Sequence, residues 1–60
     1  MLEDSRHATL RVYGELTAFG LSDTQAFKSA VSVFCFRLPG VSRDDAAFVV
    51  ADWISAAQDR

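Results

Sequence analysis

Residues 20–26 read Gly-Leu-Ser-Asp-Thr-Gln-Ala, and the same pattern returns at residues 40–46 as Gly-Val-Ser-Arg-Asp-Asp-Ala. Glycine suits the left-handed residue that closes a helix, and serine is a preferred cap for the start of the next one. A glutamine or an aspartate three residues after the serine is typical of a capping box or a close variant. Each copy therefore predicts a helix end followed by a helix start, and the two copies predict three helices.

The predicted fold class is all-α, a compact three-helix domain that occupies residues 1–60, with short Gly-Ser-capped connections. The helices are predicted at about residues 4–19, 23–37 and 43–57. The first and third should be amphipathic, each with one apolar stripe at helical spacing. The first stripe consists of Ala8, Val12, Leu16 and Phe19, widened by Leu2, Leu10 and Tyr13, and the third of Ala46, Val49, Val50, Trp53, Ile54 and Ala57.

The second helix differs from the others because its apolar residues cover a much wider arc of roughly 200°. They are Ala26, Phe27, Ala30, Val31, Val33, Phe34, Cys35 and Leu38. We therefore expect this helix to be central and the most buried. Residues 31–36 are also compatible with a short buried strand, since they are β-branched and aromatic.

The chain has 60 residues, and a domain of that size buries only about 60% of the surface that its unfolded form exposes. Half of the residues are hydrophobic, at the upper end of the roughly 45–50% of ordinary globular chains. Both properties favour a protein partner or self-association. The net charge of −2 and the scattered basic residues make nucleic acid an unfavourable partner.

The expected compartment is the cytoplasm. Cys35 is the one cysteine, so no internal disulfide can form. The first residues, Met-Leu-Glu-Asp-Ser-Arg, lack the basic start and apolar stretch of a signal peptide. The charge-free stretch 29–36 is far shorter than the roughly 20 apolar residues of a membrane span, so none is expected.

Two phenylalanines lie on the polar sides of their predicted helices. Phe36 projects near Ser29 on the second helix, and Phe48 projects near Asp52 on the third. These four residues form the predicted partner-binding site, because large aromatics dominate binding energy when a partner removes them from water. A structural alternative is that Phe36 folds inward before Pro39 and that Phe48 is a single exposed apolar residue without a function.

The sequence predicts no catalytic site, cofactor, metal or small-molecule ligand. His7 and Cys35 are the only histidine and the only cysteine and lie on different predicted helices, which argues against a zinc site. Asp44 and Asp45 are explained by the preference of acidic residues for the first turn of a helix. No phosphate-binding or calcium-binding motif is present.

We therefore expect a small non-catalytic protein-interaction module, such as a regulator, an adaptor or an accessory subunit. One alternative is a helix-turn-helix DNA-binding regulator, in which Lys28 and Arg43 would contact DNA. Asp44 and Asp45 argue against it, because carboxylates at the start of a recognition helix repel phosphate. Another alternative is an accessory subunit that contributes His7, Cys35 or Asp52 to the site of a partner enzyme.

Overall fold

A computed structural model describes the backbone of residues 2–58 and the side chains of residues 4–58. In this part of the chain the helices are α1 (Leu2–Ala18), α2 (Asp23–Arg37) and α3 (Arg43–Gln58), and there is no strand. The prediction of an all-α three-helix fold is confirmed. Residues 31–36 lie inside α2, so the alternative of a buried strand is wrong. The expected contribution of Leu2 to the stripe of α1 lies outside the described side chains.

The starts of α2 and α3 are capped in the same way. Ser22 Oγ accepts a hydrogen bond from the backbone N–H of Gln25 at 3.2 Å, and Ser42 Oγ accepts one from the backbone N–H of Asp45 at 3.2 Å. Each bond satisfies one of the N–H groups that a helix start leaves without an intrahelical partner. Both serine caps are thus confirmed, although only the serine half of a capping box is formed at either site.

The end of α1 is a Schellman motif closed by Gly20. The N–H of Gly20 donates to the carbonyl of Thr17 at 3.1 Å, and the N–H of Leu21 donates to the carbonyl of Leu16 at 3.1 Å. Gly20 has a φ of +104°, a conformation that a side chain disfavours. The predicted left-handed glycine is confirmed at this end.

The end of α2 is built differently, although it also carries a glycine. Leu38, at a φ of −130°, donates its N–H to the carbonyl of Phe34 at 2.9 Å. The N–H of Val41 then donates to the carbonyl of Leu38 at 3.1 Å, which closes a four-residue turn with Pro39 in its second position. Proline favours that position because its φ is already fixed near the required value. Gly40 has no positive φ, so the prediction of a left-handed glycine is wrong here.

The core is centred on α2, as predicted. The buried apolar residues of α2 are Ala26, Ala30, Val31 and Phe34, and those of α3 are Ala46 and Val50. Helix α2 packs against both other helices, whereas α1 and α3 contact each other least. The ring of Trp53 lies 5.3 Å from that of Phe34 at an angle of 54°, so the tryptophan packs against the core as expected.

The most buried side chains of α1 carry hydroxyl groups, whereas Ala8, Val12 and Leu16 of the predicted stripe are half-buried. Ser5 and Thr9 are the buried residues of α1, and Thr9 Oγ1 has no hydrogen-bond partner among the described residues. Phe19, a predicted member of the stripe, is 86% exposed, so its place in the buried stripe is wrong. On α3, Ala57 is also exposed rather than part of the buried stripe.

Candidate protein-binding surfaces

Phe36 and Phe48 are both exposed, at 87% and 77% of their surface. Helix α2 continues to Arg37, so Phe36 keeps its helical position and projects away from the core. The alternative in which Phe36 folds inward before Pro39 is therefore wrong. Phe48 lies in the second turn of α3, about opposite the buried line that runs through Ala46 and Val50.

Phe36 belongs to a surface that we call the α2 outer face, which comprises Gln25, Lys28, Ser29, Ser32 and Phe36. Ser29 is half-buried and the other four side chains are exposed. Arg43, at the start of α3, donates from Nη2 to Ser32 Oγ at 3.1 Å. Since Ser32 is one helical turn from Phe36, this bond places a guanidinium group on the same helix face, one turn from the phenylalanine.

Phe48 belongs to a second surface, the α3 outer face, which comprises Asp44, Asp45, Phe48, Asp52 and Ser55. All five side chains are exposed. The three aspartates lie three or four residues from Phe48 and are therefore its neighbours on the helix surface. Phe48 is thus an apolar side chain surrounded by negative charge.

The four predicted site residues thus form two pairs on two helices. Ser29 and Phe36 lie on the α2 outer face, whereas Phe48 and Asp52 lie on the α3 outer face. Phe36 is one residue from the end of α2 and Phe48 is five residues after the start of α3. Both phenylalanines therefore lie towards the end of the bundle that carries the connection from α2 to α3.

The two copies of the repeated pattern show that the environment of Phe48 does not require an apolar residue. Each of residues 21–30 matches the residue twenty positions later, in 41–50, in being buried, half-buried or exposed. In this register Phe48 corresponds to Lys28, which is also exposed. A lysine thus occupies on α2 the position that a phenylalanine occupies on α3, so packing within the chain does not explain Phe48.

Phe19 is a third exposed phenylalanine, and the sequence did not identify it as a surface residue. It follows the last residue of α1 and precedes Gly20, at the opposite end of α2 from Phe36. Its spacing from Leu16 matched the apolar stripe of α1. The one signal in the sequence for an exposed side chain was Gly20, which marks the end of the helix directly after Phe19. No charged residue lies within three positions of Phe19 in the sequence.

Two open grooves are lined by residues of both α1 and α3. One of about 400 Å³ is lined by Tyr13, Asp23, Thr24, Phe27, Ala51, Ile54, Ser55 and Gln58. The other, of about 270 Å³, shares Tyr13, Ile54 and Gln58 with it. The first reaches the size typical of a ligand pocket, but it is open to solvent along much of its length and its one charged residue is Asp23.

The residues considered for chemistry do not form a cluster. Cys35 is a half-buried free thiol packed against the core, and His7 is exposed on α1. Among the described residues, no three histidine, cysteine, aspartate or glutamate side chains are close enough together to hold a metal ion. Asp52 is exposed on α3, away from the buried face that packs against α2.

No protein-family model matches this chain, and comparisons with curated proteins and with solved structures found no match. In residues 2–58, none of the helices combines the length and the apolar character that crossing a membrane requires.

Proposed function

We propose that this chain is a small non-catalytic protein-interaction module that binds through its α2 and α3 outer faces. The observation that carries the proposal is the exposure of Phe36 and Phe48 on helix faces that the core does not use. Burying a phenylalanine side chain is worth about 1.5–3 kcal/mol, so a protein that covers both rings gains substantial binding energy.

The small core adds a second reason for a partner. Of the six fully buried apolar residues in the described part of the chain, three are alanines, which contribute little apolar surface. A chain of 60 residues is marginally stable by itself, and a partner that binds only the folded state stabilises it by mass action. Binding would thus contribute to stability as well as to function.

The proposed compartment is the cytoplasm, supported by the single free thiol of Cys35.

Affinity capture with matched baits tests this function. The wild-type chain, a Phe36→Ser/Phe48→Ser double variant and a Phe19→Ser control are immobilised at equal density after circular dichroism has established equal helicity. The proposal predicts that wild type and the Phe19→Ser control retain the same protein, whether another copy or a foreign chain, and that the double variant loses it. Equal retention by all three baits would contradict the proposal.

A further inference from the structure

The two outer faces carry opposite charge. Between residues 24 and 43 the chain has three basic residues, Lys28, Arg37 and Arg43, and no acidic one. Between residues 44 and 58 it has three acidic residues, Asp44, Asp45 and Asp52, and no basic one. All six side chains are exposed, so the surface near Phe36 is positive and the surface around Phe48 is negative. Arg43 is the first residue of α3 but reaches the α2 outer face through Ser32, and the acidic Asp23 lies at the far end of α2, thirteen residues before Phe36.

Each charged surface contains one exposed phenylalanine. On the positive side, the guanidinium group of Arg43 is held against Ser32, one helical turn from Phe36, and Arg37 follows Phe36 in the chain. On the negative side, Asp44, Asp45 and Asp52 surround Phe48. The two surfaces therefore match in their apolar centre and are complementary in their charge.

We propose that the occupant of each face is a second copy of this chain, bound head to tail, with the α3 outer face of one copy against the α2 outer face of the next. This inference rests on the proposed function and names the partner. A pairing of like faces would bring aspartates against aspartates or basic groups against basic groups, which is destabilising. The head-to-tail arrangement instead joins the two phenylalanines at the centre and places the aspartates opposite the basic residues.

Such an interface is heterologous, so a head-to-tail dimer still has one free α2 outer face on one copy and one free α3 outer face on the other. A chain of copies then continues to grow, or closes into a ring if the rotation between neighbours allows it. The arrangement therefore predicts species larger than a dimer, and a dissociation constant that rises with salt because the charged rims are screened.

Sedimentation equilibrium with two complementary single variants tests the arrangement. Phe36→Ser removes the apolar centre of the α2 outer face, and Phe48→Ser removes that of the α3 outer face. Each variant alone should be monomeric across concentrations at which wild type associates, with a dissociation constant raised by about tenfold or more. A mixture of the two should form a dimer and nothing larger, because the intact α3 outer face of the first binds the intact α2 outer face of the second.

The Phe19→Ser variant is the matched control, since it removes an equally exposed phenylalanine at the other end of α2. It should associate like wild type. The inference is overturned if either single variant self-associates like wild type, if their mixture stays monomeric, or if wild type is monomeric throughout. The proposed function fails by a different result: it is overturned only when the Phe36→Ser/Phe48→Ser double variant retains every protein that wild type captures.

Discussion

The two copies of the repeated pattern start their helices alike and end the preceding helices differently. Ser22 and Ser42 make the same cap bond at the same distance of 3.2 Å. Gly20, however, adopts a φ of +104° in a Schellman motif, whereas Gly40 has no positive φ and follows Pro39 in a tight turn. Glycines at equivalent positions thus adopt different backbone conformations, and the difference comes from Pro39 directly before Gly40.

The largest expected effects concern the buried positions that the two copies share. Ala30→Asp and Val50→Asp should each unfold the domain, because both residues are 0% exposed. Burying an unpaired carboxylate there costs more free energy than the small free energy of unfolding of a marginally stable chain. Lys28→Asp and Phe48→Asp, two residues earlier in each copy, are the exposed controls and should leave the helicity unchanged. Circular dichroism measures all four, and a folded Val50→Asp variant would contradict the assigned core.

The two glycines should respond differently to the same substitution. Gly20→Ala should lower the free energy of unfolding by about 1–2 kcal/mol, because alanine is strained at that positive φ. Gly40→Ala should be neutral or stabilise by up to about 1 kcal/mol, since its φ is not positive and nothing lies within 4 Å of an added Cβ. Urea unfolding of both variants measures the difference, and equal losses would mean that Gly40 also needs glycine.

The two serine caps should have equal energies. Ser22→Ala and Ser42→Ala should each lower the free energy of unfolding by about 1 kcal/mol, because each removes the one side-chain bond to its helix start. Replacement by aspartate, another good cap, should preserve most of the stability at both sites and serves as the control. If either alanine variant lost nothing, the corresponding serine would not be acting as a cap in solution.

The sequence predicted the parts of the fold that depend on local chemistry. The serine caps, the limits of α2 and its central position follow from the residues themselves. The conformation of Gly40 did not, because the turn at Pro39 replaced the expected helix end. The burial of Ser5 and Thr9 was not predicted either, because their hydroxyl groups make both residues polar on a hydropathy scale.

The candidate surfaces were predicted in part. Phe36 and Phe48 were recognised because helical spacing placed them opposite the apolar stripes, and both are exposed. The spacing of Phe19 fitted the apolar stripe of α1, but the residue lies at the C-terminal end of that helix and its side chain is exposed. The hydrogen bond from Arg43 to Ser32 joins residues eleven positions apart on two helices, so the sequence alone could not predict it.

Sedimentation equilibrium of Phe48→Lys beside wild type is the sharpest test of whether Phe48 binds a second copy. This change gives α3 the residue that α2 carries at the equivalent exposed position, Lys28, so the fold should be retained. We expect the variant to have the helicity of wild type and to remain monomeric at concentrations where wild type associates. A folded variant that associates as tightly as wild type would contradict the placement of Phe48 in the interface between copies, and a variant that unfolds would contradict the claim that packing within the chain does not need Phe48.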